Sequence, residues 1–392
     1  MWLLFFWGAT VVSVPAFSQQ DSTKVYYPGS NKIKEVFHIR VEGGDTIKQG
    51  PYRYYFKNGN LGQKGRFTHN QLDSLWHLYY KSGELKKKVT FARGQRHGPY
   101  MVYHKNGHLK QKGKYVNGQL KGDFKTYYKD DTLESVSHYQ NGQQKGWIKV
   151  YYPDGVLYKK YQAVNGREKG KWLQYYPDGS LNYSGKRIRG QFIDTLRVYY
   201  KNGNLQRICR YEEGKLHGPY HGYHSSGSLM VECTYDKGKI TGPYRSFHPN
   251  GTIREKGQYS AEGDKTGLWK TFYKDSTLHG KGRYENGKFQ GTWKIYHKNG
   301  HIKQIGNYDE GKATGFWKLF YSNGNIREYG KYVEDFREGP WHFCDTSGRI
   351  ERIQLYRKNM PARPKWILNG HREADKKKKL FEGGLKSPVI RN

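Results

Sequence analysis

The chain has 392 residues, of which only 35% are hydrophobic, and its mean hydropathy of −1.01 excludes an ordinary thick core of Leu, Ile and Val. Aromatic residues make up 16% and Gly numbers 49, which argues against disorder because disordered segments are poor in aromatic side chains. The formal net charge of +35 favours a polyanionic partner, whether nucleic acid, anionic lipid head groups or acidic polysaccharide.

The N-terminal segment, residues 1–18, predicts a secretory signal peptide. It is apolar, carries no charged side chain and ends in a small-x-small pattern before Gln19. Gly and Pro interrupt it, so it would span a bilayer poorly. An uncleaved anchor and a cytosolic start are the alternatives, since no Lys or Arg precedes the apolar stretch. We therefore predict an exported protein of the periplasm, cell envelope or secreted space. Residues 19–49 are expected to form an N-terminal cap or a degenerate repeat.

Residues 50–356 repeat a pattern every 24 residues, in about 13 copies. The marker of each repeat is a Gly that follows Asn, Asp or Ser and precedes, by two residues, Leu or Ile. Asp131 and Ser276 replace this Gly in two repeats, and one extra residue lies in the Ser260–Thr266 loop. The marker glycines are Gly59, Gly83, Gly107, Gly155, Gly179, Gly203, Gly227, Gly251, Gly300, Gly324 and Gly348.

Each repeat predicts a β-hairpin. Asn-Gly and Asp-Gly tolerate the positive φ values of a type I′ turn, so we expect the tight turn at the marker. A looser turn is expected at the joints between repeats, such as Asn117-Gly118. The flanks are short, rich in Tyr and Ile, and bounded by turn residues, as strands are. No segment shows the apolar period of a helix. The predicted fold is all-β, an elongated, twisted antiparallel meander or solenoid of about 26 strands.

The repeat that begins at Gly291, GTWKIYHKNGHIKQIGNYDEGK, resembles the bacterial variant of the MORN (membrane occupation and recognition nexus) repeat. The resemblance covers roughly residues 50–356. It implies a twisted sheet of hairpins without catalytic activity, used as a scaffold, a dimerisation module or a candidate phospholipid-binding surface. Members are also often labelled antitoxin components. That label belongs to cytoplasmic toxin–antitoxin pairs, and the predicted signal peptide argues against it.

Parity along the first strand of each repeat predicts a candidate binding face. Counted from the Gly that opens most repeats, the third position is frequently basic and the fifth is nearly always Tyr or Phe, and both point to one side. Such a surface suits an anionic or sugar partner. Alternatively, the rings form a ladder and the Lys and Arg stems keep the sheet soluble. The candidate residues are Arg53, Lys125, Lys149, Arg197, Arg245, Lys270, Lys294, Lys318, Tyr127, Tyr151, Tyr199, Phe272, Tyr296 and Phe320.

The cysteines and histidines have structural explanations within the repeat. Cys209 and Cys233 hold equivalent positions two strands, or ~10 Å, apart, whereas a disulfide needs Cα atoms within about 7 Å. The equivalent position holds Gly in other repeats, so a requirement for a small side chain explains these two cysteines. A set of histidines shares a slot that otherwise holds Tyr or Phe, and aromatic substitution explains them better than a zinc ion. These are His104, His224, His248 and His297.

The C-terminal segment, residues 357–392, loses the repeat and carries eleven Lys and Arg against three acidic residues, which predicts a disordered basic tail. No catalytic motif is found, so we predict no enzyme, cofactor or metal. The leading hypothesis is a non-catalytic scaffold of the cell envelope or secreted space that engages a protein partner, anionic lipid or acidic polymer, with peripheral membrane contact. The alternatives are an antitoxin or immunity-type protein and a nucleic-acid binder, which export disfavours.

Overall fold

The computed structural model describes residues 21–361, which form β-strands joined by turns. The predicted signal peptide and the basic tail after residue 361 lie outside the described residues. Contacts within the chain divide it into two units. Unit 1 runs to residue 181 and also contains residues 187–190, whereas unit 2 consists of residues 182–186 and 191–392.

Unit 1 is an antiparallel meander of consecutive strands, except that two strands of two residues each pair with the strand before them rather than with the strand after them. Its strands are β1 (Asp21–Tyr26), β2 (Ile33–Glu42), β3 (Asp45–Tyr55), β4 (Leu61–Thr68), β5 (Gln71–Tyr79), β6 (Leu85–Ala92), β7 (Gln95–Tyr103), β8 (Leu109–Val116), β9 (Gln119–Leu120), β10 (Gly122–Tyr127), β11 (Leu133–Gln140), β12 (Gln143–Gln144), β13 (Gly146–Tyr151), β14 (Leu157–Val164) and β15 (Arg167–Tyr175). The next strand, β16 (Leu181–Ile188), supplies residues to both units.

Unit 2 is likewise an antiparallel meander of consecutive strands. Its strands are β17 (Gln191–Tyr199), β18 (Leu205–Glu212), β19 (Lys215–Tyr223), β20 (Leu229–Asp236), β21 (Lys239–Phe247), β22 (Ile253–Tyr259), β23 (Lys265–Phe272), β24 (Leu278–Glu285), β25 (Lys288–Tyr296), β26 (Ile302–Asp309), β27 (Lys312–Phe320), β28 (Ile326–Val333), β29 (Phe336–Cys344), β30 (Ile350–Arg357) and β31 (Met360–Pro361). No helix within residues 21–361 is long and apolar enough to span a membrane.

The predicted all-β class and the tandem hairpins are confirmed, and the hairpins lie where the 24-residue pattern places them. The strand number exceeds the prediction for three reasons, one of which is the two-residue strand β31 after the last repeat. A further hairpin, β1–β2, precedes the repeats within the segment predicted as a cap or degenerate repeat. In addition, two first strands are interrupted at Lys121 and Lys145, just before an opening glycine, which divides each into a short and a long strand.

The prediction of a type I′ turn at the marker is wrong. At Asn58-Gly59 only the glycine has a positive φ, of 88°. The Gly59 N–H donates to the carbonyl of Phe56 at 2.8 Å, and the Phe56 N–H donates to the carbonyl of Asn60 at 2.8 Å. This pattern is that of a three-residue loop, in which a type I turn is followed by one left-handed residue that forms a β-bulge.

The tight two-residue turn lies instead at the joints between repeats. Asn117 and Gly118 have φ values of 48° and 78°, so both central residues are left-handed, as a type I′ turn requires. The inserted residue is located at a joint, as predicted. There the Ser260 N–H donates to the carbonyl of Asp264 at 2.8 Å and Gly263 has a φ of 93°, so this joint has adopted the longer marker-type loop.

The core lies on one face of the sheet, which we call the tryptophan face. The aromatic residue two positions after the opening glycine is buried there, with Trp317 3% exposed and Trp341 0% exposed. Five of the indoles lie directly on a glycine of the preceding strand. A Cβ atom added to Gly306 would come within 2.0 Å of Cδ2 of Trp317. Tyr332 meets both indoles edge-on, with ring centroids 5.5 and 5.0 Å away, so a continuous aromatic layer forms this core.

Candidate functional site

The basic residues predicted from parity lie on the face opposite the buried indoles, which we call the basic face. In β27, for example, Lys318 is exposed whereas its neighbour Trp317 is buried. The third-position residues divide into two groups by exposure. Arg53, Lys149, Arg197, Arg245 and Lys318 are exposed, and Lys125, Lys270 and Lys294 are half-buried.

In unit 2, strand pairing places lysines of the second strands between the basic residues predicted on the first strands. Lys270 is directly opposite Lys256 on one side and Lys281 on the other. Lys281 is in turn opposite Lys294, and Lys256 is opposite Arg245. Five successive strands, β21–β25, therefore each place one cationic side chain in a single row across the sheet. We call Arg245, Lys256, Lys270, Lys281 and Lys294 the unit 2 ladder.

Unit 1 carries a similar row, interrupted by neutral residues at Met101 and Val136. Cross-strand pairs such as Lys112 with Lys125 and Lys149 with Lys160 place two cations side by side. The basic and histidine members, which we call the unit 1 ladder, are Arg53, Lys64, His77, Lys88, Lys112, Lys125, Lys149 and Lys160.

Few of these charges are compensated within the protein. Arg245 forms an ion pair with Glu232 on the neighbouring strand. The four lysines that follow it in the unit 2 ladder form no ion pair within residues 21–361. In the unit 1 ladder, burial lowers the pKa of His77, and the positive charges of Lys64 and Lys88 lower it further. The ladders therefore leave rows of positive charge open to a partner.

The predicted aromatic column accompanies the ladders on the same face. The Lys256 Nζ lies 5.6 Å from the centre of the Phe272 ring, and the Lys281 Nζ lies 6.0 Å from that of Tyr296. These lysine stems therefore cover the rings, as the alternative interpretation from solubility expects. The rings keep part of their surface in solvent, since Tyr127, Tyr151, Tyr199, Phe272, Tyr296 and Phe320 are all half-buried.

The repeated histidines take the place of tyrosines in a hydrogen bond between neighbouring repeats. The Tyr128 Oη donates to the carbonyl of Tyr151 at 2.7 Å. In the same slot, His104 Nε2 lies 3.2 Å from the carbonyl of Tyr127, and His297 Nε2 lies 3.0 Å from that of Phe320. Either side chain can donate to this carbonyl, which explains the substitution. Within residues 21–361, no three His, Cys, Asp or Glu side chains form a metal-binding group.

The three cysteines are free and buried. Cys209 and Cys233 occupy the slot of the core glycines, but each lies below a tyrosine rather than an indole. Cys209 is directly opposite Tyr220, for instance. Burial raises the pKa of the Cys233 thiol to about 11, so the thiolate that reacts with electrophiles is scarce at neutral pH. Nothing in their setting supports a catalytic thiol.

Apart from His77, which lies on a first strand, the ladder residues that parity missed lie on the second strand of a repeat. Each of these second-strand residues occurs five residues after the marker, so their recurrence is visible in the sequence. Their alignment with the first-strand cations depends on the bulge and the turn type, which the sequence did not resolve. The missed second-strand residues are Lys64, Lys88, Lys112, Lys160, Lys256 and Lys281.

Similarity to known proteins lies in the repeats. The family model described as "MORN repeat variant" matches residues 96–117, 120–141, 195–213, 240–261 and 289–310. No curated protein matches the sequence. Among solved structures, the chain resembles TcdB2–TccC3–TEV at 10% identity and a TM-score of 0.15, covering 88% of this chain and 25% of that one.

Two related structures give similar values. TcdB2–TccC3–Cdc42 is 11% identical with a TM-score of 0.13, covering 83% of this chain and 24% of that one. TcdB2–TccC3 without its hypervariable C-terminal region is 11% identical with a TM-score of 0.16, covering 86% and 21%. The chain thus spans about a quarter of the length of these structures or less, and likenesses at these scores support no inference about function.

The repeats, in contrast, are informative. The five matched segments each contain one marker and its flanking strands, in agreement with the hairpins of the structure. MORN repeats are generally binding or scaffold modules. The five matches across the chain support a MORN-repeat family for this protein.

Proposed function

We propose that this protein is a non-catalytic scaffold that holds a polyanion along the ladders of its basic face. The observation that supports this best is the unit 2 ladder, where four consecutive lysines face one another and form no ion pair with any residue from 21 to 361. Like charges directly opposite each other destabilise a sheet. The fold does not require them, because Met101, Val136 and Ile305 occupy the same row in other repeats.

The spacing of the ladder favours a linear partner with closely repeated negative groups. Neighbouring strands lie ~4.8 Å apart, so the row presents one cation per strand at that interval. The half-buried rings beside the lysines offer flat surfaces on which sugar rings can stack. Together with the predicted signal peptide, these features favour an acidic polysaccharide of the envelope or extracellular space over nucleic acid.

Removal of three ladder lysines tests the proposal. The variant Lys270→Gln/Lys281→Gln/Lys294→Gln keeps the stems and removes the charges. With each lysine near an anionic surface contributing about 1 kcal/mol, we expect affinity for alginate, measured by calorimetric titration, to fall on the order of 100-fold. The matched control is Lys274→Gln/Lys288→Gln/Lys298→Gln, which removes three exposed charges from neighbouring turns and joints. Equal losses in both variants would refute a ladder-specific site.

Other polyanions distinguish the alternatives. Single-stranded DNA and vesicles containing anionic lipid are titrated at the same salt concentration as alginate. Tighter binding of DNA than of alginate would favour the nucleic-acid alternative. Binding of the vesicles alone would replace the polysaccharide with a membrane surface. Failure of every polyanion to bind would leave the antitoxin alternative, which requires one protein partner.

A further inference from the structure

A cavity of about 210 Å³ lies on the tryptophan face of unit 1, away from both ladders. Its apolar wall is formed by Trp76, Val89, Phe91 and Tyr100. Two cationic side chains, Lys87 and Arg96, are also among the lining residues. Lys87 is half-buried and Arg96 is exposed, and the lining contains no acidic residue to balance their charge.

Two other repeats pair a carboxylate with a cation at the equivalent positions. In the last repeats, Glu328 and Arg337 form a buried ion pair at 2.9 Å, and the guanidinium lies 4.0 Å from the centre of the Trp341 ring. Both side chains are largely buried, at 6% and 13% exposed. The carboxylate, the cation and the indole thus form a closed group that fills the space over the sheet.

The same group recurs three repeats earlier. Glu255 and Lys265 form an ion pair at 2.6 Å, and the Lys265 Nζ lies 3.9 Å from the centre of the Trp269 ring. Measured from the markers, Glu255 corresponds to Glu328, Lys265 to Arg337 and Trp269 to Trp341. The repeat can therefore accommodate this group at more than one place in unit 2.

In the repeat with the cavity, the same slots hold different residues. Lys87 replaces the glutamate, Arg96 retains the cation and Tyr100 replaces the indole. The carboxylate is thus exchanged for a second cation, and the smaller ring leaves space. Neither cation forms an ion pair within the described part of the chain. The Arg96 Nη1 donates to the Tyr115 Oη at 3.3 Å, and the Lys87 Nζ lies 5.6 Å from the Tyr100 ring centre.

We propose that this cavity binds a small molecule with a carboxylate on an apolar body. The ligand carboxylate would lie between Lys87 and Arg96, where Glu328 and Glu255 provide the anion in the other repeats. Its apolar body would contact Trp76, Val89 and Tyr100. An apolar cavity of about 150 Å³ is large enough for benzene, so the space here accommodates an aromatic or short aliphatic acid.

Burial supports this assignment independently of the repeat comparison. It lowers the pKa of Lys87, and the positive charge of Arg96 lowers it further. A bound anion would reverse both effects by favouring the charged amine. Binding is therefore expected to be accompanied by proton uptake where Lys87 is partly neutral.

The test compares acids with their neutral analogues. Benzoate and hexanoate are titrated into the full-length protein by calorimetry, beside benzamide and hexanamide of nearly the same shape. We expect at least one acid to bind tenfold or more tightly than its amide. The variant Lys87→Glu recreates the Glu–Arg pair of the later repeat, so it should abolish binding and raise the Tm.

Lys88→Glu is the matched control, since it makes the same charge change one residue away on the opposite face. It should leave binding of the acid within about twofold, because charges beyond a Debye length of about 10 Å are screened and nearer ones act weakly through solvent. If Lys87→Glu does not fold, Lys87→Met replaces it and should also lose the acid. No preference for either acid over its amide, or equal loss in the Lys87 and Lys88 variants, would overturn the proposal.

Discussion

Glycine in the second strand is dictated by the indole that covers it. Five tryptophans lie on such glycines, and an added Cβ would approach each indole to between 2.0 and 2.4 Å. Where the covering residue is smaller than Trp, the glycine position has more space for a side chain. An added Cβ on Gly185 would lie 3.1 Å from Leu196, and Cys209 lies below Tyr220. Trp172 is an exception, because Tyr161 rather than a glycine lies opposite it. The size of one residue thus constrains its cross-strand partner.

The substitution Gly306→Ala tests this constraint. We expect a loss of about 1–3 kcal/mol in the free energy of unfolding, because the methyl group would overlap Trp317 in a packed core. Urea denaturation measures it. The double variant with Trp317→Leu should cost less than the sum of the single substitutions, since the leucine reproduces the Gly185–Leu196 arrangement. Additive costs would show that the indole does not set the residue at position 306.

The sequence was sufficient to predict a residue's role where that role follows from side-chain size and position in the repeat. The histidines were assigned to the tyrosine slot and the cysteines to the glycine slot, and the structure supplies the reason for each in a hydrogen bond or a packing contact. The charged cavity was not predicted. It becomes visible only when Lys87 and Arg96 are placed over the same part of the sheet, which requires the strand register.

At the scale of the hairpin, side-chain hydrogen bonds join the marker loop of one repeat to the marker loop of the next. The Asn323 side chain caps its own loop, where Oδ1 accepts from the Asn325 N–H at 3.0 Å. Its Nδ2 donates to the carbonyl of Thr346 in the next loop at 2.8 Å. Asp occupies this slot in other repeats and can only accept, as Asp154 does from the Val156 N–H. Asparagine therefore adds a bond between repeats that aspartate lacks.

Two substitutions of Asn323 separate these bonds. Asn323→Ala removes both and should cost about 1–2 kcal/mol of unfolding free energy, at roughly 0.5–1.5 kcal/mol per hydrogen bond. Asn323→Asp keeps the loop cap and should cost about half as much. Thermal unfolding followed by circular dichroism provides the comparison. Equal destabilisation by both substitutions would mean that the bond between loops contributes nothing.

The turn types of the hairpins could not be predicted from the sequence. Both loop types contain Asn-Gly, so the dipeptide alone could not assign the type I′ turn to the joints. Loop length decides between them. A three-residue loop needs a positive φ only at its last residue, whereas a two-residue loop needs it at both. Strand boundaries were predicted within the repeat, but the turn types were interchanged.

At the scale of the whole molecule, half-buried tyrosines are expected to make stability sensitive to alkaline pH. Burial is the main reason that the pKa values of Tyr235, Tyr259, Tyr284 and Tyr308 are raised to about 12, from an ordinary value of 10.0. Between these values the unfolded chain binds fewer protons than the native state. Their contribution to stability is therefore complete below pH 10 and is lost as pH rises towards 12.

Urea unfolding at pH 9 and pH 11 measures this loss. We expect a lower denaturation midpoint at pH 11, with tyrosinate absorbance of these side chains appearing together with unfolding. Ionisation of every tyrosine near pH 10 with the sheet intact would contradict the assignment of these rings to a buried layer.

The repeat pattern made most of this fold predictable, because the same local rules apply about 13 times. The net charge of +35 indicated an anionic partner but not its position. The proposed position rests on cross-strand register, which aligns Lys281 with Lys270 and Lys294. The net charge and the repeat pattern can be read from the sequence, whereas the alignment of lysines into a ladder depends on how the strands pair.

The salt dependence of alginate affinity tests most directly whether the basic face holds a polyanion. Each lysine that contacts an anionic group releases about one counterion. The logarithm of the dissociation constant should therefore rise linearly with the logarithm of salt concentration. In the Lys270→Gln/Lys281→Gln/Lys294→Gln variant, we predict a slope shallower by about two to three. The same slope in the variant and the unmodified protein would contradict binding along the ladder.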